Sequence, residues 1–109
     1  MAYTENVAER VRQRFARRTD VVEKKMFGGL TFMVSGHMCC GVVDDALMAR
    51  VGPDQYEAAL ARSGARTMDF TGRTMKGMVF VATAGFASDD DLSSWVGLCL
   101  AFVETLPPK

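Results

Sequence analysis

The chain has little of what usually betrays a function. Its 109 residues include three prolines, three cysteines, one tryptophan and one histidine, and thirteen Lys and Arg are cancelled by thirteen Asp and Glu. A net charge of zero argues against a nucleic-acid reader, which ordinarily carries a basic domain or stripe. The cysteines, Cys39, Cys40 and Cys99, are odd in number and two are adjacent. They form no disulfide framework and fit reduced thiols in a cytoplasmic protein. No apolar run approaches the ~20 residues a membrane helix needs, and the first residues lack the apolar stretch of a secretory leader. The length suits one domain, 1–109, with a single core.

What is plentiful is methionine, eight in all, together with short apolar runs divided by turn residues. Within residues 24–51 the runs 30–34, 38–43 and 46–51 are separated by Ser35-Gly36 and Asp44-Asp45, and Gly28-Gly29 precedes the first. Connections this short join antiparallel strands, because a parallel crossover needs about a dozen residues or more. A meander is the expected centre of the fold, with residues 21–27 as an extended lead whose charges suit a sheet edge. Strict alternation puts Leu30, Phe32 and Val34 on one face and Thr31 and Met33 on the other. It likewise groups Met38, Cys40 and Val42 against Cys39, Gly41 and Val43, and Leu47, Ala49 and Val51 against Met48 and Arg50. Neither face is cleanly polar, so the face away from the helices is expected to be covered by another chain.

Three helices flank these strands. The first is expected over 4–17, capped by Thr4, with Val7, Val11 and Phe15 on one stripe and arginines in water. The second is opened by Pro53 and stopped at Ser63-Gly64. The third starts at Ser88 with three aspartates at its positive end, buries the stripe Leu92, Trp95, Val96, Cys99, Phe102, Val103 and Leu106, and ends at Pro107-Pro108. Leu98 and Leu100 lie off that stripe. Strands are also expected over 66–70 and 78–83. The result is an α+β two-layer domain: an antiparallel sheet of about five strands with helices on one face, in the order α-β(3)-α-β(2)-α.

The run Lys25-Met26-Phe27-Gly28-Gly29, the turn at Gly36, the corner at 43–45, the Pro53-started helix and the segment 68–77 around Gly72 resemble the N-terminal domain of the TfoX/Sxy family. The resemblance covers nearly the whole chain. It implies the same element order and a link to the regulation of competence for DNA uptake in bacteria, and it brings no catalytic residues. Family members tied to competence carry a second, C-terminal domain. This sequence, ending at Lys109, reads as the form without it.

Several residues are candidate sites. Gly28-Gly29 lies between strands, where a turn or bulge explains it better than a phosphate loop. His37 and Cys39 share a face of a regular strand, but zinc needs more ligands than this pair supplies, so no metal and no cofactor are expected. Arg73 and Lys76 flank Thr74 in a loop able to hold an anion. Met33 and Met48, with Leu98 and Leu100, are the candidates for a partner surface. The reading is a non-enzymatic interaction module, as a homodimer or with a transcription-regulator partner, without direct nucleic-acid or membrane binding. The alternative is a small-molecule or anion site, possibly enzymatic, near His37, Cys39, Arg73 and Lys76.

Overall fold

The structure, a computed structural model, describes residues 4–26, 28–70 and 73–107, with the side chains of 68–70 and 73–75 left aside. In chain order the elements are α1 (Glu5–Arg14), β1 (Val21–Met26), β2 (Gly29–Val34), β3 (His37–Val43), β4 (Ala46–Arg50), α2 (Tyr56–Leu60), β5 (Ala65–Phe70), β6 (Arg73–Val81) and α3 (Asp89–Val103). Short 3-10 turns, Pro53–Gln55 and Thr83–Phe86, precede α2 and α3. All strands join one antiparallel sheet in the order β1-β2-β3-β4-β6-β5.

The sheet therefore has six strands rather than about five. The charged segment read as a lead is the edge strand β1, paired along its whole length with β2. Two-residue loops make the meander. Ser35 and Gly36 both take positive φ, 51° and 85°, the conformation that matches the twist of a tight hairpin. Asp44, at φ 54°, does the same between β3 and β4.

The helices cover one face. Val7, Ala8, Val11 and Phe15 from the first, Tyr56 and Ala59 from the second, and Leu92, Trp95, Val96, Cys99 and Val103 from the third meet Leu30, Phe32, Val42, Leu47, Ala49, Val79 and Val81 in one core. Phe15 stacks on Phe32 with centroids 5.6 Å apart. Trp95 is fully buried, and its Nε1–H donates to Gly85 O at 3.2 Å, which satisfies the one polar atom that burial would otherwise strand. The Ser88 hydroxyl accepts from the Asp91 N–H at 3.0 Å, as expected of its capping position. Thr4 makes no side-chain cap; instead its backbone N–H donates to Asp44 O, tying α1 to the β3–β4 turn. Helix α1 ends at Arg14 and α2 is shorter than expected, its first turn being 3-10.

The pattern of β3 departs from alternation. Phe32 pairs with Cys40 but Met33 pairs with Met38, so Cys39 is an extra residue in a β-bulge. Cys39 and Cys40 consequently both enter the helix-side core, while Met38 moves to the face of Met33. The sequence grouping of Met38 with Cys40 and Val42 is thus corrected: one inserted residue resets the period of two.

Asp20 fastens the start of β1 to the β2–β3 turn. Arg18 donates to both its carboxylate oxygens at 3.0 Å, and the Ser35 hydroxyl donates at 2.7 Å. Arg18 first and Ser35 second hold Asp20 at about 2, below its ordinary 3.8. A carboxylate held low contributes stability above its unfolded value and loses it as the pH falls toward the folded one. Denaturation midpoints measured from pH 5 to pH 2 should therefore fall for the parent chain. In Asp20→Asn the starting value should be lower and the fall shallower across that window.

Candidate functional site

The sheet face away from the helices carries Thr31 and Met33 of β2, Met38 and Gly41 of β3, Met48 and Arg50 of β4, and Met78 and Phe80 of β6. Ala46, Met48, Met78 and Phe80 form a second, smaller apolar cluster there, with Met38 and Val43 against it. Gly41 makes the packing possible, because a Cβ on it would sit 2.7 Å from the Met48 methyl carbon. The Thr31 hydroxyl is buried beside them without a hydrogen-bond partner among the described residues.

The sheet curls around this face. Met26 at the end of β1 and Lys76 in β6 line one hollow although β2, β3 and β4 lie between their strands. The hollow has a volume of about 490 Å³; its walls include the thioethers of Met26, Met33, Met38 and Met78, and its cations are Arg50 and Lys76. Arg50 is positioned. Its Nη1 donates to Met38 O at 3.1 Å, and its guanidinium lies 5.2 Å from the centre of the Phe102 ring. Lys76 is exposed. Phe102 reaches this wall from α3 because Gly52 leaves room for it: at φ 86° this residue has no side chain, and a Cβ would overlap the ring. The Gly52 N–H donates to Gly77 O at 3.0 Å, closing that corner.

Soft, flexible thioethers with cations beside them suit an adaptable apolar ligand that also carries negative charge. No carboxylate, thiol or imidazole lies among the described residues of the lining.

The sequence candidates fall in different places. Met33 is half-buried and lines the hollow, and Met48 is fully buried in the cluster beneath it. Lys76 is in the hollow too. The side chain of Arg73, and Phe27 and Gly72 of the family motif, lie outside the described residues. Lys25 is exposed on β1, Met26 is a wall of the hollow, Gly28 lies in the β1–β2 turn, and Gly29 opens β2, where a Cβ on it would strike Val42 O. Leu98 and Leu100 are both half-buried and point apart. Leu98 lines a groove of about 360 Å³ with Val51 and Phe102, whereas Leu100 sits beside Gln13 and Arg14.

His37 and Cys39 face the helices, so the structure does not bring them to Lys76. The His37 Nε2–H donates to Pro107 O. Cys39, Cys40 and Cys99 lie in the helix-side core, all three without exposed surface. The Cys39 sulfur accepts hydrogen bonds from the Cys40 thiol and then from the Cys99 thiol, which lowers its pKa against the opposing effect of burial. Donating to Cys39 and burial raise those of Cys40 and Cys99. Among the described residues no group of three His, Cys, Asp or Glu side chains is placed to hold a metal ion, and no helix is long and apolar enough to cross a membrane.

Arg50, Met38 and Phe102 were not singled out as site residues by the sequence. The signal for Met38 was present in Cys39-Cys40, two adjacent apolar residues that a regular strand cannot both bury on one side.

A curled antiparallel sheet with helices on one face and a hollow on the other defines an α+β scaffold of the sheet-and-helix kind. The family model for the TfoX N-terminal domain matches residues 13–103, a stretch that includes every described residue of the hollow. The chain belongs to the TfoX N-terminal domain family. Comparisons with curated proteins and with solved structures return no match.

Two substitutions test this construction. Gly52→Ala places a Cβ at positive φ and against Phe102, and should cost about 2 kcal/mol in chemical denaturation. Thr31→Val removes an unpaired buried hydroxyl at nearly constant volume, and should raise stability by about 1 kcal/mol.

Proposed function

We propose that this domain is a non-enzymatic regulatory interaction module, in keeping with the competence-regulator family it belongs to, and that it binds an apolar, acidic segment of a partner protein in the methionine-lined hollow. The observation that carries the reading is the meeting of four thioether side chains with Arg50 and Lys76 on the one sheet face that no helix covers. Thioethers repack around differently shaped apolar groups at little cost. The two cations favour a carboxylate on the same segment and disfavour a basic one.

A second copy of the chain fits this site less well. A two-fold interface sets the same patch against itself, and two hollows face to face enclose a void. A convex segment of a different protein, such as a transcription regulator, fills it. The unpaired thiols favour a cytoplasmic setting.

The test is methionine-methyl NMR of the labelled chain, titrated with two synthetic amphipathic peptides that share an apolar face and differ in Glu or Lys flanks. The Glu-flanked peptide should shift the Met26, Met33, Met38 and Met78 methyls. Lys76→Glu should weaken it about tenfold, or about 1.4 kcal/mol, and favour the Lys-flanked one. Absence of methyl shifts with either peptide rejects the hollow as a binding site. Light scattering supplies the other arm: a monomer supports a distinct partner, and a dimer that Met33→Asp dissociates assigns the hollow to a second copy instead.

A further inference from the structure

We infer that the methionine-lined hollow continues past Phe102 into the groove beside α3, and that the two together take a partner segment carrying an acidic residue at one end of an apolar run and a basic residue at the other. This rests on the reading of the hollow as a partner site and adds a second subsite to it, where Asp54 and Leu98 determine specificity. Phe102 and Pro53 line both the hollow, of about 490 Å³, and the groove, of about 360 Å³. A ligand in either one lies against the same two side chains, so the two spaces adjoin.

Their charges are opposite. The charged residues among the described lining of the hollow are Arg50 and Lys76, whereas the groove has Asp54. Asp54 is exposed, and no cation among the described residues pairs with it. Ala101 and Thr105 line the same groove at the carbonyl end of α3, whose last turn contains no basic residue. A helix carbonyl end carries partial negative charge and attracts cations. A segment acidic toward Lys76 and basic toward Asp54 therefore meets opposite charge at both ends. One that is acidic throughout meets like charge in the groove.

The apolar seat where the halves meet is made by Pro53, which is exposed, and Phe102, which is half-buried, with Leu98 beyond them in the groove. This seat is fixed before a ligand arrives. The N–H groups of Val51 and Gly52 donate to Gly77 O at 2.9 and 3.0 Å, and the Phe102 ring is held between the space that Gly52 leaves for it and the Arg50 guanidinium, 5.2 Å from its centre. A fixed seat spares the ordering cost that a mobile loop adds to binding. Leu98, off the buried stripe of α3, has its use here as an apolar wall.

The test uses the full chain with labelled methionine, leucine and alanine methyls, and three synthetic peptides that share one apolar run: one ends in Glu and Lys, one in Glu at both ends, one in Lys at both ends. The Glu/Lys peptide should move the methyls of Met33 and Met38 and those of Leu98 and Ala101 along one binding curve. It should bind about fivefold tighter than the Glu/Glu peptide at low salt, with a gap that added salt narrows. Asp54→Lys should reverse that preference; the parent's own discrimination between the peptides serves as the test if this variant fails to fold. Groove methyls that stay at rest while those of Met33 and Met38 move, or equal binding of the Glu/Lys and Glu/Glu peptides, overturns the extension and leaves the hollow standing as a site. Movement of the groove methyls alone separates the two spaces and overturns it as well. No movement at any of these methyls rejects the hollow and the extension together.

Discussion

The bulge at Cys39 is the irregularity on which both faces of the sheet depend. A strand buries alternate residues, so one extra residue redistributes every side chain before it relative to those after it. Here the insertion sends Cys39 inward beside Cys40 and moves Met38 to the opposite face, opposite Met33. The Met38 carbonyl beside the bulge accepts from the Arg50 guanidinium. Without the bulge, Met38 would lie under α3 and the hollow would lose one of its walls.

Curvature is the second condition. A flat sheet of six strands covered on one side would present Met33, Met48 and Met78 as an open apolar plane, a surface prone to aggregation. The curl instead buries Met48 and Thr31 completely and Met78 and Phe80 nearly so, leaving Met26, Met33 and Met38 half-buried around a concave opening. Part of the cover expected from another chain is therefore supplied by the sheet itself. Glycine has a share in this at Gly41, which lets the Met48 side chain lie flat on the sheet.

Much of the fold was legible because its signals are local. Ser35-Gly36 and Asp44-Asp45 mark two-residue turns by their tolerance of positive φ, Ser88 with its aspartates marks a helix start, and the Val7, Val11, Phe15 stripe marks the buried side of α1. The site was less legible because it is assembled by curvature, which no local pattern encodes. Met33 and Lys76 could be suspected separately, one as a partner-facing thioether and the other as an anion-loop cation, yet nothing in the spacing says that they line one hollow. Leu98 and Leu100 show the reverse problem. Their positions off the main stripe suggested one apolar surface, whereas a separation of two residues on a helix turns side chains toward different sides, and each meets different neighbours.

Arg50 links β3 to α3 at the wall of the hollow. Its side chain bonds the Met38 carbonyl and lies over Phe102. Phe102 in turn belongs to the same helix as Cys99, three residues on, so the two lie on neighbouring positions of one helical face. A change in how α3 sits on β3 is therefore felt at Phe102 and at Arg50 together. The helix-side core and the open face are joined through these few contacts at the end of β4, where Gly52 admits the Phe102 ring and the Gly77 carbonyl receives the backbone of Val51 and Gly52.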